Sequence, residues 1–387
     1  MTKETIQKEH RILQLKYAVL AMVVGICVGI VDTIFGRGLL AISAFRTAHC
    51  AACCPSCLWP DFLLYGCIII QHLKLKGHVP DLRNRAEKRD QIPLALVPLV
   101  ILGTWITHLF GGSAGREGVA VQIGATLSHE AGRRLHIREN KPVMLITGMA
   151  AGFGGLFQTP LAAVFFAMEV IVAGYLEYDA LLPALIAAYT ASFTSHFLGL
   201  EKFAVDIQDT WTVTDLRSMI SLIALGLAFG LAGRCFSVLL QKAKKLFGEK
   251  ISNPLIRIGV MAIPLAALLF VIHGGRYTGL GTNLISASFA GETIYGYDWI
   301  LKLLFTVFTL AIGFQGGEVT PLFSIGASLG VVLGSILGIP PMICGALATP
   351  QYSAAPPTPS SPRSSSAWKF SAPEIPFPSS WYASSLI

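Results

Sequence analysis

Apolar runs long enough to cross a bilayer recur along this chain, and they limit its fold more than any other feature. A spanning helix needs roughly 20 predominantly apolar residues. Runs of that character occupy residues 17–34, 92–110, 142–172, 181–198, 220–240, 255–272 and 300–314, and residues 319–337 form another that glycine and proline punctuate. Only 13% of the residues are charged, whereas a soluble domain carries about 25%. A chain so poor in polar surface cannot cover itself in water. The expected class is an all-α polytopic membrane protein, a helical bundle with broken helices.

The formal net charge of +7 does not point to nucleic acid, because the basic residues form no single face. They sit in short stretches at 3–16, 133–141 and 242–250, the positive-inside pattern that assigns such connectors to the cytoplasm. Residues 1–16 are polar and lead directly into a span, with no small-residue cleavage site after a short apolar core. They are expected to be a cytoplasmic N-terminus rather than a signal peptide.

Two stretches break the pattern. Residues 50–91 hold five of the eight cysteines and then a charged run, and residues 349–387 are dominated by serine and proline. The spacing of Cys50, Cys53, Cys54 and Cys57 suits a metal in principle, but no histidine frames them, and neither metal nor cofactor is expected. Both stretches read instead as out-of-frame translation. With ordinary codons, residues 78–90 shifted by one base give MSLIFEIGQKKE, and residues 349–371 shifted the other way give YAAVFGSATNTLIAPILIGLEVF. The second string resembles the in-frame run AAGFGGLFQTPLAAVFFAMEV at residues 150–170.

That likeness extends a repeat already visible. IGATL at residues 123–127 returns about two hundred residues later as IGASL at 325–329, each after a glycine-rich break bearing a glutamate. Matched interrupted segments are the usual mark of inverted repeats. Residues 17–200 then form one half of the transmembrane domain and 201–348 a second, truncated half. Two unrelated small-residue helices packed closely are the plainer alternative.

The first break, GGSAGREGVAVQIG at 111–124, places Gly111, Gly112, Gly115 and Gly118 ahead of a helix expected to begin near Val119. Glycine there permits close approach and positive φ. A helix N-terminus offers unpaired N–H donors and the positive dipole end, which suit a dehydrated anion. Irregular backbone at membrane depth is tolerated where protein buries it or where it lines a cavity. Glu117 sits among these donors. Ionised, it fills an anion site itself; protonated, it vacates the site, so its protonation is coupled to occupancy. An ion pair of Glu117 with Arg116 in a cytoplasmic loop is the structural alternative.

The second break, AIGFQGGEVTPLFSIGASLG at 311–330, repeats the construction. Gly313, Gly316 and Gly317 precede a helix whose first turn holds Val319, Thr320 and Pro321, where proline fits. Glu318 is the second acid, and Thr320 has a hydroxyl to donate. The candidate anion-binding residues are Gly115, Arg116, Gly118, Val119, Val319 and Thr320. Phe157, at the end of GFGGLF, is a candidate pore constriction, and Glu169 is expected near a helix end. A membrane-embedded enzyme would need a nucleophile and base; His108 and Ser113 are the tempting pair, with His108 more simply an interfacial residue.

These blocks, GSAGREGVAVQIGA and GLFQTPLAAVFFAME, resemble the CLC family of chloride channels and proton-coupled anion antiporters. The resemblance covers 17–49 weakly, 92–348 well, and neither odd stretch. It implies homodimers in which each subunit carries its own pathway through two antiparallel halves. Val119 stands where ordinary members have proline, and GGEVTP replaces GGxFxP, which looks like the fluoride-selective, bacterial fluoride/proton antiporter branch. That resemblance implies Glu117 as the gating glutamate and Glu318 with Thr320 as second acid and hydroxyl. The branch's pore methionine is absent at His78, although the shifted frame restores one. Expected partners are a small anion (fluoride or chloride), protons and the lipid bilayer. A chloride channel or chloride/proton antiporter, and a non-functional remnant, are the competing expectations.

Overall fold

The structure, a computed structural model, describes residues 3–48, 92–135, 141–170, 177–202 and 216–347. The odd stretches 50–91 and 349–387, with the four clustered cysteines and His78, therefore lie outside the described residues. Among the described residues the regular structure is helical: α1 (Lys3–Ala48), α2 (Leu96–Leu109), α3 (Glu117–Arg134), α4 (Lys141–Phe157), α5 (Pro160–Val170), α6 (Leu181–Phe197), α7 (Leu216–Lys250), α8 (Pro254–Val271), α9 (Thr282–Ala290), α10 (Asp298–Ile312), α11 (Val319–Leu337) and α12 (Pro341–Leu347). Short 3-10 turns occupy Tyr178–Ala180 and His273–Gly275. The expected all-helical class holds.

Among the described residues three helices are long and apolar enough to cross a membrane, Leu15–Ala48, Leu216–Lys250 and Val319–Leu337; Leu96–Leu109, Pro142–Phe157, Pro160–Glu169 and Ile256–Val271 are shorter apolar helices. Two expectations are corrected. The run 142–172 is two helices, because Gln158 takes a positive φ of 54° and Pro160 opens α5, where its missing N–H costs no helical bond. The basic stretches 3–16 and 242–250 are not loops but helical extensions of α1 and α7.

The chain forms two compact units. The described residues of the first fall within Met1–Leu40, Ile70–Leu102 and Glu117–Lys202, and those of the second within Ala41–Ile69, Gly103–Arg116 and Phe203–Ile387. In the first unit, α3 and α4 pack backbone to backbone: a side chain on Gly124 or Gly148 would run into the other residue's carbonyl, and one on Gly152 into that of Ala120. Lipid tails are as apolar as leucine, so helices in a membrane associate by such close packing rather than by the hydrophobic effect. In the second unit, Phe236, Leu240, Leu303, Val307 and Ile325 form one core with Ala114. Tyr277, Leu284, Phe305 and Ile312 form another. Asp298 is fully buried at the start of α10, where it accepts from Tyr277 Oη at 2.6 Å and from Arg276 Nη2 at 2.9 Å.

Candidate functional site

The two glycine-rich breaks meet inside the second unit. Gly115 N–H donates to the Gly317 carbonyl at 2.6 Å, and Gly317 N–H returns a bond to the Gly115 carbonyl at 2.8 Å. This antiparallel bridge is the one β-type pairing among the described residues. Each segment thus satisfies the other's backbone where no helix can, as irregular chain at membrane depth requires. Close approach explains the glycines more than φ does. Of the four in the first break only Gly111 has a positive φ, 79°, while a Cβ on Gly112 would lie 2.7 Å from Thr107 Cγ2 and one on Gly316 would lie 2.5 Å from Ala114 Cβ.

Buried polar groups hold the approach to this bridge. Lys302, fully buried on α10, donates from Nζ to Ser113 Oγ at 2.9 Å, the Gly279 carbonyl at 2.8 Å and the Tyr277 carbonyl at 3.1 Å. Three acceptors match the three hydrogens of an ammonium group. Ser113 also shares a hydrogen bond with Thr306 Oγ1 at 2.9 Å, and its N–H donates to Thr309 Oγ1 at 3.2 Å. Sequence reasoning passed over Lys302; the signal available was a lone lysine in the apolar run 300–314.

His108 is 0% exposed, which corrects the interfacial reading. Its Nδ1 faces the Thr104 carbonyl at 2.9 Å and its Nε2 the Ala114 carbonyl at 3.0 Å. A neutral ring can donate to one of these, a protonated ring to both. His108 therefore braces the first break rather than serving Ser113 as a base. Both ring nitrogens face carbonyl oxygens, and Ser113 Oγ is held by Lys302 and Thr306.

The second break delivers Glu318 to the N-cap position of α11, with no side-chain cap bond. Its Oε1 lies 3.7 Å from Lys244 Nζ on α7. Val319 is the first helical residue, and Thr320 is buried at 7% exposure. The Thr320 hydroxyl has no hydrogen-bond partner among the described residues. Pro321 occupies the first turn as expected.

Glu117 belongs to the first unit. It opens α3 two residues earlier than expected and is 1% exposed. A carboxylate in the first helical turn is favoured by the dipole, which accounts for the earlier start. Gly118 and the fully buried Val119 follow it in α3, while Arg116, 5% exposed, ends the second unit's segment. Phe157 closes α4 with its ring 4.8 Å from that of Phe153, which lies 4.9 Å from Phe166. Glu169 is half-buried one residue before the end of α5. Among the described residues no group of three or more His, Cys, Asp or Glu is placed to hold a metal.

A profile of the family described as Voltage gated chloride channel matches residues 62–355. That range is wider than the 92–348 legible residue by residue. The chain is 38% identical over 256 residues to a chloride/fluoride channel protein of Pseudomonas syringae pv. tomato, covering 64% of this chain and 56% of that relative's length. It is 24% identical over 343 residues to an H(+)/Cl(-) exchange transporter, ClcA, of Yersinia pseudotuberculosis serotype IB, covering 82% of this chain and 70% of the relative. Among solved structures, a CLC-type fluoride/proton antiporter superposes with a TM-score of 0.81 at 45% identity, covering 88% of this chain and 87% of that one. A slow cyanobacterial Cl-/H+ antiporter shares the fold, with a TM-score of 0.70 at 20% identity. This is a membrane protein, and from a match over most of its length the chain belongs to the voltage gated chloride channel family.

Proposed function

We propose that the chain moves a small anion across a membrane in exchange for protons, with fluoride as the anion. The observation that carries this reading is the Gly115–Gly317 bridge, which joins two broken segments that each lead into a helix with a buried or half-buried carboxylate at its start. The likeness to a fluoride/proton antiporter at 45% identity supports the choice of ion, as do Val119 and the sequence GGEVTP.

In this mechanism the N–H groups at the start of α3 serve either the Glu117 carboxylate or the anion. Two negative charges cannot share those donors, so anion entry requires Glu117 to take up a proton or swing away. Gly115, Arg116, Gly118 and Val119 line that exchange. Val319 and Thr320 present the second helix start, Thr320 by its hydroxyl, with Glu318 as the second acid. Phe157 narrows the path. The chain crosses the membrane several times with its N-terminus in the cytoplasm, halves at 17–200 and 201–348, and works as a homodimer.

Reconstitution of the full chain in liposomes tests this. A fluoride gradient should drive proton movement, and an equal chloride gradient should drive far less. Equal coupling to both ions would leave the chloride reading, which relatives such as the Yersinia exchanger favour. Anion flux without proton movement would overturn exchange.

A further inference from the structure

Ser324 stands apart from most of the buried hydroxyls of its unit. Thr107, Thr306, Thr309, Ser288 and Ser328 each return their hydrogen to the carbonyl four residues earlier, at 2.7–2.9 Å. That is how a helix ordinarily satisfies a buried hydroxyl. Ser324 does not. It is 0% exposed, and its Oγ has no hydrogen-bond partner among the described residues. A buried hydroxyl without a partner is costly, so its rotamer calls for a reason.

The side chain is aimed at the start of α9. Gly281 is the N-cap residue there, with φ 83° and no side-chain cap. A Cβ at Gly281 would lie 2.6 Å from Ser324 Oγ and 2.7 Å from Lys302 Cε, so the two side chains converge on a helix N-terminus that only glycine can form. The leading N–H groups of a nine-residue helix such as α9 have no intrahelical acceptor and carry the positive dipole end. Lys302, protonated as its three acceptors favour, adds positive charge. Its three hydrogens are committed to neutral oxygens, and no ion pair joins it to a carboxylate among the described residues. A buried cation without a counter-charge is costly, and a bound anion would supply one.

We propose that Ser324, the N-terminus of α9 and the charge of Lys302 form a second site for a small monovalent anion. Ser324 is the direct donor, the α9 amides are its companions, and Lys302 acts through charge. Thr320, one helical turn nearer the break on α11, has its own buried unpartnered hydroxyl. At 1.5 Å rise per residue the two lie about 6 Å apart along the axis, so an anion leaving the Glu318 break has a next station. This goes beyond the exchange at Glu117 and Glu318, and binding can be measured without transport.

The test is a calorimetric titration of the purified full chain in detergent with sodium fluoride, at constant ionic strength, beside the Ser324→Ala variant. Alanine removes an unsatisfied hydroxyl and adds no bulk, so the variant should melt no lower than the parent. The expected result is two fluoride-binding components in the parent, one of which weakens about ten-fold or more in Ser324→Ala while the other persists. An unchanged isotherm in the variant overturns the site. A single component in the parent that disappears entirely in the variant also overturns it as a second site. Liposome flux reports separately on the exchange reading.

Discussion

Gly115 and Gly317 exchange a reciprocal pair of backbone hydrogen bonds at 2.6 and 2.8 Å, across about two hundred residues of chain. Two N–H groups and two carbonyls that would otherwise be stranded are satisfied at one point. Each glycine lies within two residues of an acid, Glu117 after Gly115 and Glu318 after Gly317.

Replacing Glu117 with glutamine keeps the size of the side chain but removes its capacity to carry a proton in and out. In liposomes, Glu117→Gln should reduce fluoride-driven proton movement to the level of empty vesicles, while fluoride movement continues. Proton movement at the parent rate would overturn the gating role.

The approach of the two breaks has no room for a methyl group on Gly316, whose Cβ would fall 2.5 Å from that of Ala114. Gly316→Ala should lower stability by roughly 1–3 kcal/mol through overpacking, read as an earlier thermal transition in detergent. Because the clash is between two side chains, adding Ala114→Gly should recover much of that loss. A double variant as weak as the sum of its parts would show that the two residues do not couple.

Glu130, at the polar end of α3, accepts from Arg133 Nε and Nη2 at 2.7 Å and from Arg134 Nε at 2.8 Å. These hydrogen bonds, first from Arg133 and then from Arg134, hold its carboxyl down to about 2 from an ordinary 4.5. A depressed folded-state value means the stabilisation is fully present above the ordinary value and is lost as pH falls from about 4.5 towards about 2. The parent should therefore melt progressively earlier through that window, and Glu130→Gln should show a shallower dependence. Both arginines are largely exposed, so the effect should shrink in high salt.

The odd composition of residues 50–91 and 349–387 makes a prediction at the level of DNA. The coding sequence should contain a one-base shift near each stretch, with the alternative frame encoding membrane-like segments and a methionine beside position 78. Continuous, well-supported in-frame codons across residues 45–95 and 345–387 would overturn it.

Much of this protein is legible in its amino acids. The apolar runs announce membrane helices because each run is a local property of consecutive residues. The acids Glu117 and Glu318 stand out because a charge beside glycine in an apolar chain is costly unless it has work to do. The starts of α3 and α11 are legible to within two residues, whereas α1, α2 and α7 begin four or more residues from the edges of their apolar runs. The break at Gln158 is hidden because composition there stays apolar on both sides.

What the sequence alone could not decide were the meetings between distant segments. Local spacing carries no record of which backbone groups will satisfy one another, so the pairing of Gly115 with Gly317 appears only in the packed chain. Lys302 reads as a misplaced charge until Ser113, Tyr277 and Gly279 surround it with three acceptors. His108 reads as an interfacial residue until the carbonyls of Thr104 and Ala114 close on its ring. Burial turns these polar groups from ordinary side chains into structural obligations, and burial is a property of the packed chain.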